Sequence, residues 1–158
     1  MEKQTFVAHL KASRMTQSEL ARRVGVTRQA VSLWLRQRGT QISVHGPHLV
    51  RLASALGVSV EQLTRPLPCF DPRSHQRLKA TLLWDRLFPD LDDLAVAASQ
   101  RDPKAVGRLV EVYGLYATAK MLGEWVWTEF PGYMRYVHPT RRRQLQALYR
   151  WKCDPQHN

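Results

Sequence analysis

The chain has 158 residues, with 24 Lys and Arg against 13 Asp and Glu and a net charge of +11. That length fits one or two small domains, and so basic a balance points to a polyanion, which in a cell most often means nucleic acid. No apolar run approaches the roughly 18 residues of a membrane span and no secretory signal opens the chain, which argues against a membrane protein and for a cytoplasmic, nucleoid-associated one.

In chain order, Phe6, Val7 and Leu10 read as the inward face of a first helix. Thr16 followed by Glu19 is a capping box, in which hydroxyl and carboxylate each satisfy a free backbone N–H. Leu20, Ala21 and Val24 then recur at helical spacing, and Gly25 stops the helix because it accepts the left-handed conformation of a C-terminal cap. Thr27 caps the next helix. Ala30, Val31, Trp34 and Leu35 form its inward face. Arg28, Gln29, Ser32, Leu33 and Arg36 are left outward, and Arg38 follows just beyond. The small Ala21 and the Gly at the turn suit two helices crossing closely. Pro47 opens a fourth helix, with Leu49, Leu52, Ala53 and Leu56 inward and Gly57 as its stop. Ser59 with Gln62 is a second capping box and starts a short fifth helix around Val60 and Leu63.

The stretch Thr16 to Trp34, TQSELARRVGVTRQAVSLW, resembles the helix-turn-helix family of lambda repressor, Cro and related phage and bacterial regulators. The resemblance extends over residues 4–66 and implies a five-helix DNA-binding domain with the reading pair in second and third place. The segment LRQRGTQISVHGP after the second helix is longer than the family's usual connection, and Leu33 stands where the family more often keeps a polar residue. A helix fits the major groove, where Arg can pair bidentately with guanine and Gln with adenine. Arg28 and Gln29, in the first turn of the second helix, are the leading base-contact candidates, with Ser32 behind them. Gln17 matches a family position that holds phosphate, and a helix N-terminus itself suits an anion. Thr27, Arg36 and Arg38 complete the DNA-binding set. The same residues also fit an ordinary solvated helix face.

Residues 64–73, TRPLPCFDPR, hold three prolines and no helical period. The linker is placed at 67–73, between a domain at 1–66 and a helical domain at 74–158. Leu78, Leu82, Leu83 and Leu87 run toward Phe88, and Pro89 ends that element. Asp90 caps a helix containing Leu91, Leu94, Val96 and Ala97. Asp102 followed by Pro103 starts another, with Val106, Leu109, Val110 and Tyr113 inward. A stretch from Leu115 to Trp127 continues with Ala119, Leu122, Trp125 and Val126. His138 with Pro139 opens a last helix carrying Leu145, Leu148, Tyr149 and Trp151. No segment alternates as a strand would, so the fold class is all-α.

Twelve of the 14 aromatic residues lie from Phe70 onward. Aromatics are enriched at interfaces, which makes Trp125, Trp127, Phe130 and Tyr133 candidates for a dimer or partner surface. Core packing is the competing account. Arg141, Arg142 and Arg143 suit DNA phosphates, an acidic partner or plain solvent. Cys69 and Cys153, each with a His nearby (His75 and His157), fit reduced thiols. A single such pair is not a zinc site, so neither metal nor cofactor is expected. No nucleophile motif or glycine-rich phosphate loop appears, and Asp90, Asp92 and Asp93 suit helix-dipole complementation better than catalysis. An enzyme is not expected.

The segments LLWDRLFPDLDDL, VEVYGLYATAKMLG and HPTRRRQL look like the helical C-terminal half of small antitoxin-like bacterial regulators. Two functions therefore stand side by side. One is a dimeric repressor of its own operon, bound to an inverted repeat of double-stranded DNA. The other is an antitoxin-type module whose C-terminal half neutralises a protein partner such as a toxin.

Overall fold

The computed structural model describes residues 1–68, 70 and 75–153. These residues are all-α, and their one extended pairing is an isolated antiparallel bridge between Glu2 and Gln41. The chain divides into two compact units, Met1–Leu67 and Pro68–Asn158.

The first unit holds α1 (Lys3–Ala12), α2 (Gln17–Val24), α3 (Arg28–Arg36), α4 (Gly46–Leu56) and α5 (Val60–Thr64). Local chemistry sets most of the boundaries. At the start of α2 the Glu19 N–H donates to the Thr16 hydroxyl at 3.2 Å, and the Thr16 N–H donates back to the Glu19 carboxylate at 2.8 Å. The Thr16 N–H foremost, and the Thr16 hydroxyl that donates to the same carboxylate at 2.9 Å, hold the Glu19 carboxyl below its ordinary range. The same reciprocal box, Ser59 with Gln62, starts α5. Gly25 ends α2 at φ 76° and ψ 39°, where its N–H and that of Val26 both donate to the Ala21 carbonyl. A side chain is disfavoured in that left-handed region, so glycine makes the tight turn possible.

The core of this unit is Phe6, Leu10, Leu20, Ala21, Val24, Val31, Ile42, Leu52, Ala53, Leu56 and Leu63, with Trp34 set edge-on to Phe6 at 6.3 Å. Helix α2 packs on both α3 and α4, and α1 closes the unit against α3 and α5. Val7 does not join this core and is 41% exposed; Thr5, Ala8 and His9 take the inward side of α1 in its place. The long segment after α3 is tied down by backbone bonds to the start of the chain. Lys3 N–H donates to the Thr40 carbonyl and Ile42 N–H to the Met1 carbonyl, each at 2.8 Å, while the Ile42 side chain is buried.

The second unit holds α6 (His75–Leu82), α7 (Leu91–Ser99), α8 (Pro103–Leu122), α9 (Trp125–Thr128), α10 (Phe130–Tyr133), a 3-10 turn (Met134–Tyr136) and α11 (Pro139–Cys153). Asp90 caps α7, and Asp102 caps α8 through the N–H groups of Lys104 and Ala105. Helix α8 is the central element and meets α6, α7, α9, α10, the 3-10 turn and α11. It breaks at Gly114, whose φ of 82° and ψ of 169° lie outside helical space. The helix expected to reach Phe88 stops instead at Leu82, and Leu87 is exposed. Past that stop, Asp85 accepts the Leu87 N–H and pairs with Arg108, and Arg108 lies against the Trp84 ring. The stretch from Leu115 to Trp127 is likewise two helices, divided at Gly123.

The aromatic surface expected at Trp125, Trp127, Phe130 and Tyr133 is corrected by their burial. Trp127, Phe130 and Tyr133 are at most 4% exposed, and Trp125 is half-buried against the same core. Phe130 meets Tyr133 edge-on at 5.6 Å and Tyr149 at 5.1 Å, and the Tyr133 hydroxyl donates to the Val126 carbonyl. Each such ring buries a large apolar area, which suits it to the core of the second unit. The exposed aromatics are Trp84, Tyr116 and Trp151, the last of which was expected to face inward. Cys69 and His157 lie outside the described residues. Among the described residues Cys153 is exposed, and no group of three potential metal ligands occurs. No helix among them is long and apolar enough to cross a membrane.

Candidate nucleic-acid interface

Helix α3 exists as a presented element because Thr27 starts it and α2 supports it. The Thr27 hydroxyl oxygen accepts the Ala30 N–H at 3.1 Å, which satisfies one of the free donors of the first turn. Val31 is the fully buried anchor of α3, flanked by half-buried Ala30, Trp34 and Leu35. That one-sided anchoring leaves Arg28, Gln29, Leu33 and Arg36 exposed and Ser32 half-exposed along the opposite side.

Gln17, Arg28, Gln29, Ser32 and Arg36 converge. With Leu35 they line one open depression of about 370 Å³ between the start of α2 and the outer face of α3. Two residues of the expected set stand apart from it. Thr27 serves as the α3 cap, and Arg38 sits exposed in the segment after α3. That segment is positioned rather than loose, since the Lys3 ammonium donates to the Gln37 carbonyl at 3.0 Å. None of the ion pairs among the described residues involves Arg28, Arg36 or Arg38. Of the three carboxylates in this unit, Glu19 is held in its capping box and Glu61 pairs with Arg65 at 2.7 Å. Glu2, the third, stands before α1, so the arginines of the outer face of α3 enter no ion pair among the described residues.

This arrangement offers a convex helix with bidentate-capable side chains in its first turn, guanidinium groups along its length and a helix N-terminus beside it. It suits a polyanion whose edges carry donors and acceptors.

Outside this region, the Arg141–Arg143 cluster is largely absorbed by the fold. Arg141 donates to the Glu111 carbonyl, and Arg142 donates to the carbonyls of Arg135 at 3.0 Å and Val137 at 2.9 Å. Arg143 alone of the three has no such structural bond among the described residues. Sequence reasoning missed the bonds that tie the segment around Arg38 to the start of the chain. Their only signal was two isolated apolar residues, Ile42 and Val44, in an otherwise polar loop.

Residues 8–63 match a family described as helix-turn-helix. No curated protein and no solved structure matches the chain.

Proposed function

We propose that the chain, whose residues 8–63 match a helix-turn-helix family, is a sequence-specific DNA-binding transcriptional regulator that reads the major groove with α3. It acts as a dimer on an inverted repeat and represses its own operon. The observation that carries this reading is the convergence of Gln17, Arg28, Gln29, Ser32 and Arg36 on one exposed surface of two consecutive helices.

Each residue has a role by its chemistry. Arg28 pairs bidentately with a guanine and Gln29 with an adenine, and Ser32 bonds to a neighbouring base edge. Gln17, at the first turn of α2, holds a backbone phosphate together with the α2 N-terminus. Arg36 and Arg38 neutralise flanking phosphates and fix the register of the helix. The second unit supplies self-association, so that two copies of α3 lie about 34 Å apart, one turn of DNA.

The test is a selection from random duplexes with the full chain, followed by titration of the selected duplex and of DNA upstream of its own gene. A palindromic motif found in that upstream DNA is the expected result. Equal, salt-sensitive binding to every duplex would leave only charge attraction and sink the reading.

A further inference from the structure

We infer that Leu33 reads the 5-methyl group of a thymine in each half of the operator. This rests on the reading of α3 as the recognition helix and names what part of its sequence preference that helix obtains without a hydrogen bond.

Leu33 is 68% exposed, more than any other large hydrophobic residue in the described part of the first unit. It lies one turn after Gln29 and, at 3.6 residues per turn, about 40° from it around the helix axis. Gln29, Ser32 and Arg36 share that outward side, opposite the buried Val31. The inward side of α3 is already furnished by Val31, Trp34 and Leu35 packed in the core. Leu33 therefore lies outside the packing that holds the domain together.

Every neighbour on the outward side can donate or accept a hydrogen bond; Leu33 can do neither. What it offers is an apolar end in a polar, cationic field. The major groove displays one apolar group among its four base-pair patterns, the thymine methyl. A second copy of the chain seated on Leu33 would have to gather Arg28, Arg36 and Arg38 of both copies around one leucine pair. DNA meets the guanidinium groups with phosphates and the leucine with a methyl in the same approach.

The experiment uses the full chain and its selected operator, with each thymine replaced in turn by deoxyuridine. That change deletes the methyl and keeps the pairing. One position per half-site is expected to weaken wild-type binding roughly three- to fivefold, the scale of one buried methyl. Leu33→Ala is expected to bind the thymine and uracil operators alike while still discriminating at the Gln29-dependent base.

An operator indifferent to every methyl deletion overturns the role of Leu33 and leaves the recognition helix standing. So does a Leu33→Ala variant that stays sensitive to the same deletion. If Leu33 instead holds a second copy, Leu33→Ala lowers the sedimentation-measured association and weakens both operators equally, which also overturns it. Failure to select any operator overturns the recognition-helix reading, and this inference with it.

Discussion

Arg28 and Gln29 occupy the same turn of α3 and ask different things of DNA. Arginine brings a charge that every duplex attracts as well as a fork that fits guanine; glutamine brings only a neutral pair of bonds matched to adenine. Gln29→Ala is therefore expected to cost about 1–3 kcal/mol on the preferred sequence and almost nothing elsewhere, narrowing the gap between them. Arg28→Ala is expected to lower affinity on all duplexes and to narrow the gap as well. Parallel titrations on selected and scrambled DNA measure both, and equal losses on every sequence from both variants would count against direct readout.

A second residue sets the domain's response to acid. His9 is 2% exposed beneath α5, and its Nε2 has no partner. Burial pushes its pKa below the ordinary 6.5, and a hydrogen bond to the Gln62 backbone opposes this only in part. Above that ordinary value both folded and unfolded chains hold the ring neutral, so its contribution is fully present. As pH falls through 6.5 the unfolded chain takes up a proton that the folded one resists, and stability declines. Thermal melting should thus be flat from pH 7 to 8 and fall between about pH 6.5, where the unfolded ring titrates, and pH 5.5. His9→Gln should flatten that fall, and an unchanged slope in the variant would assign it to other groups.

At the scale of elements, α8 and the 3-10 turn approach closely at Gly107. A Cβ on Gly107 would meet the Tyr136 Cβ at 2.9 Å and the Tyr133 carbonyl oxygen at 3.4 Å, neither of which can swing aside. Gly107→Ala is expected to destabilise the unit by about 1–3 kcal/mol, the usual cost of overpacking. Gly132→Ala, with open space around its position, is the matched control. Denaturant midpoints that move equally for both would show that α8 gives way at no cost.

Elements whose ends are set by neighbours in sequence were legible: the boxes at Thr16 and Ser59, the Asp90 and Asp102 caps and the Gly25 turn each need only a few adjacent residues. The grouping of Gln17 with the outer face of α3 was legible for the same reason, since one tight turn joins its two helices. What depended on distant partners was not. The leucine period runs on past Leu82, but Arg108, 23 residues after Asp85, captures that carboxylate and the chain turns. The bond from the Lys3 ammonium to the Gln37 carbonyl, next to Arg38, joins residues 34 apart in sequence. Spacing alone could not tell the buried Trp127, Phe130 and Tyr133 from the exposed Trp84 and Trp151. The difference lies in which rings enter the core of the second unit.

For the whole molecule, charge and symmetry do separate work. The first unit carries 10 basic against 3 acidic residues and the second 14 against 10, so most of the attraction to phosphate comes from the reading domain. Such attraction releases counterions and fades with salt on every sequence alike. Arg36→Ala should therefore reduce the slope of log affinity against log salt by about 1 without altering sequence choice.

Specificity over a genome needs more than the few bases one α3 can touch, and a pair of copies doubles that number only if both helices meet the same face of the duplex. A dimer is accordingly expected to favour half-sites whose centres are about 10 base pairs apart. Inserting 5 base pairs turns one half-site to the far face and should reduce binding to that of a single half-site. Inserting a further 5 returns it to the near face but asks the two units to reach a full turn farther, so recovery measures how rigidly the second unit joins the copies. Affinity for one half-site equal to that for the repeat at every spacing would mean that the copies act alone, and the second unit would then need another role.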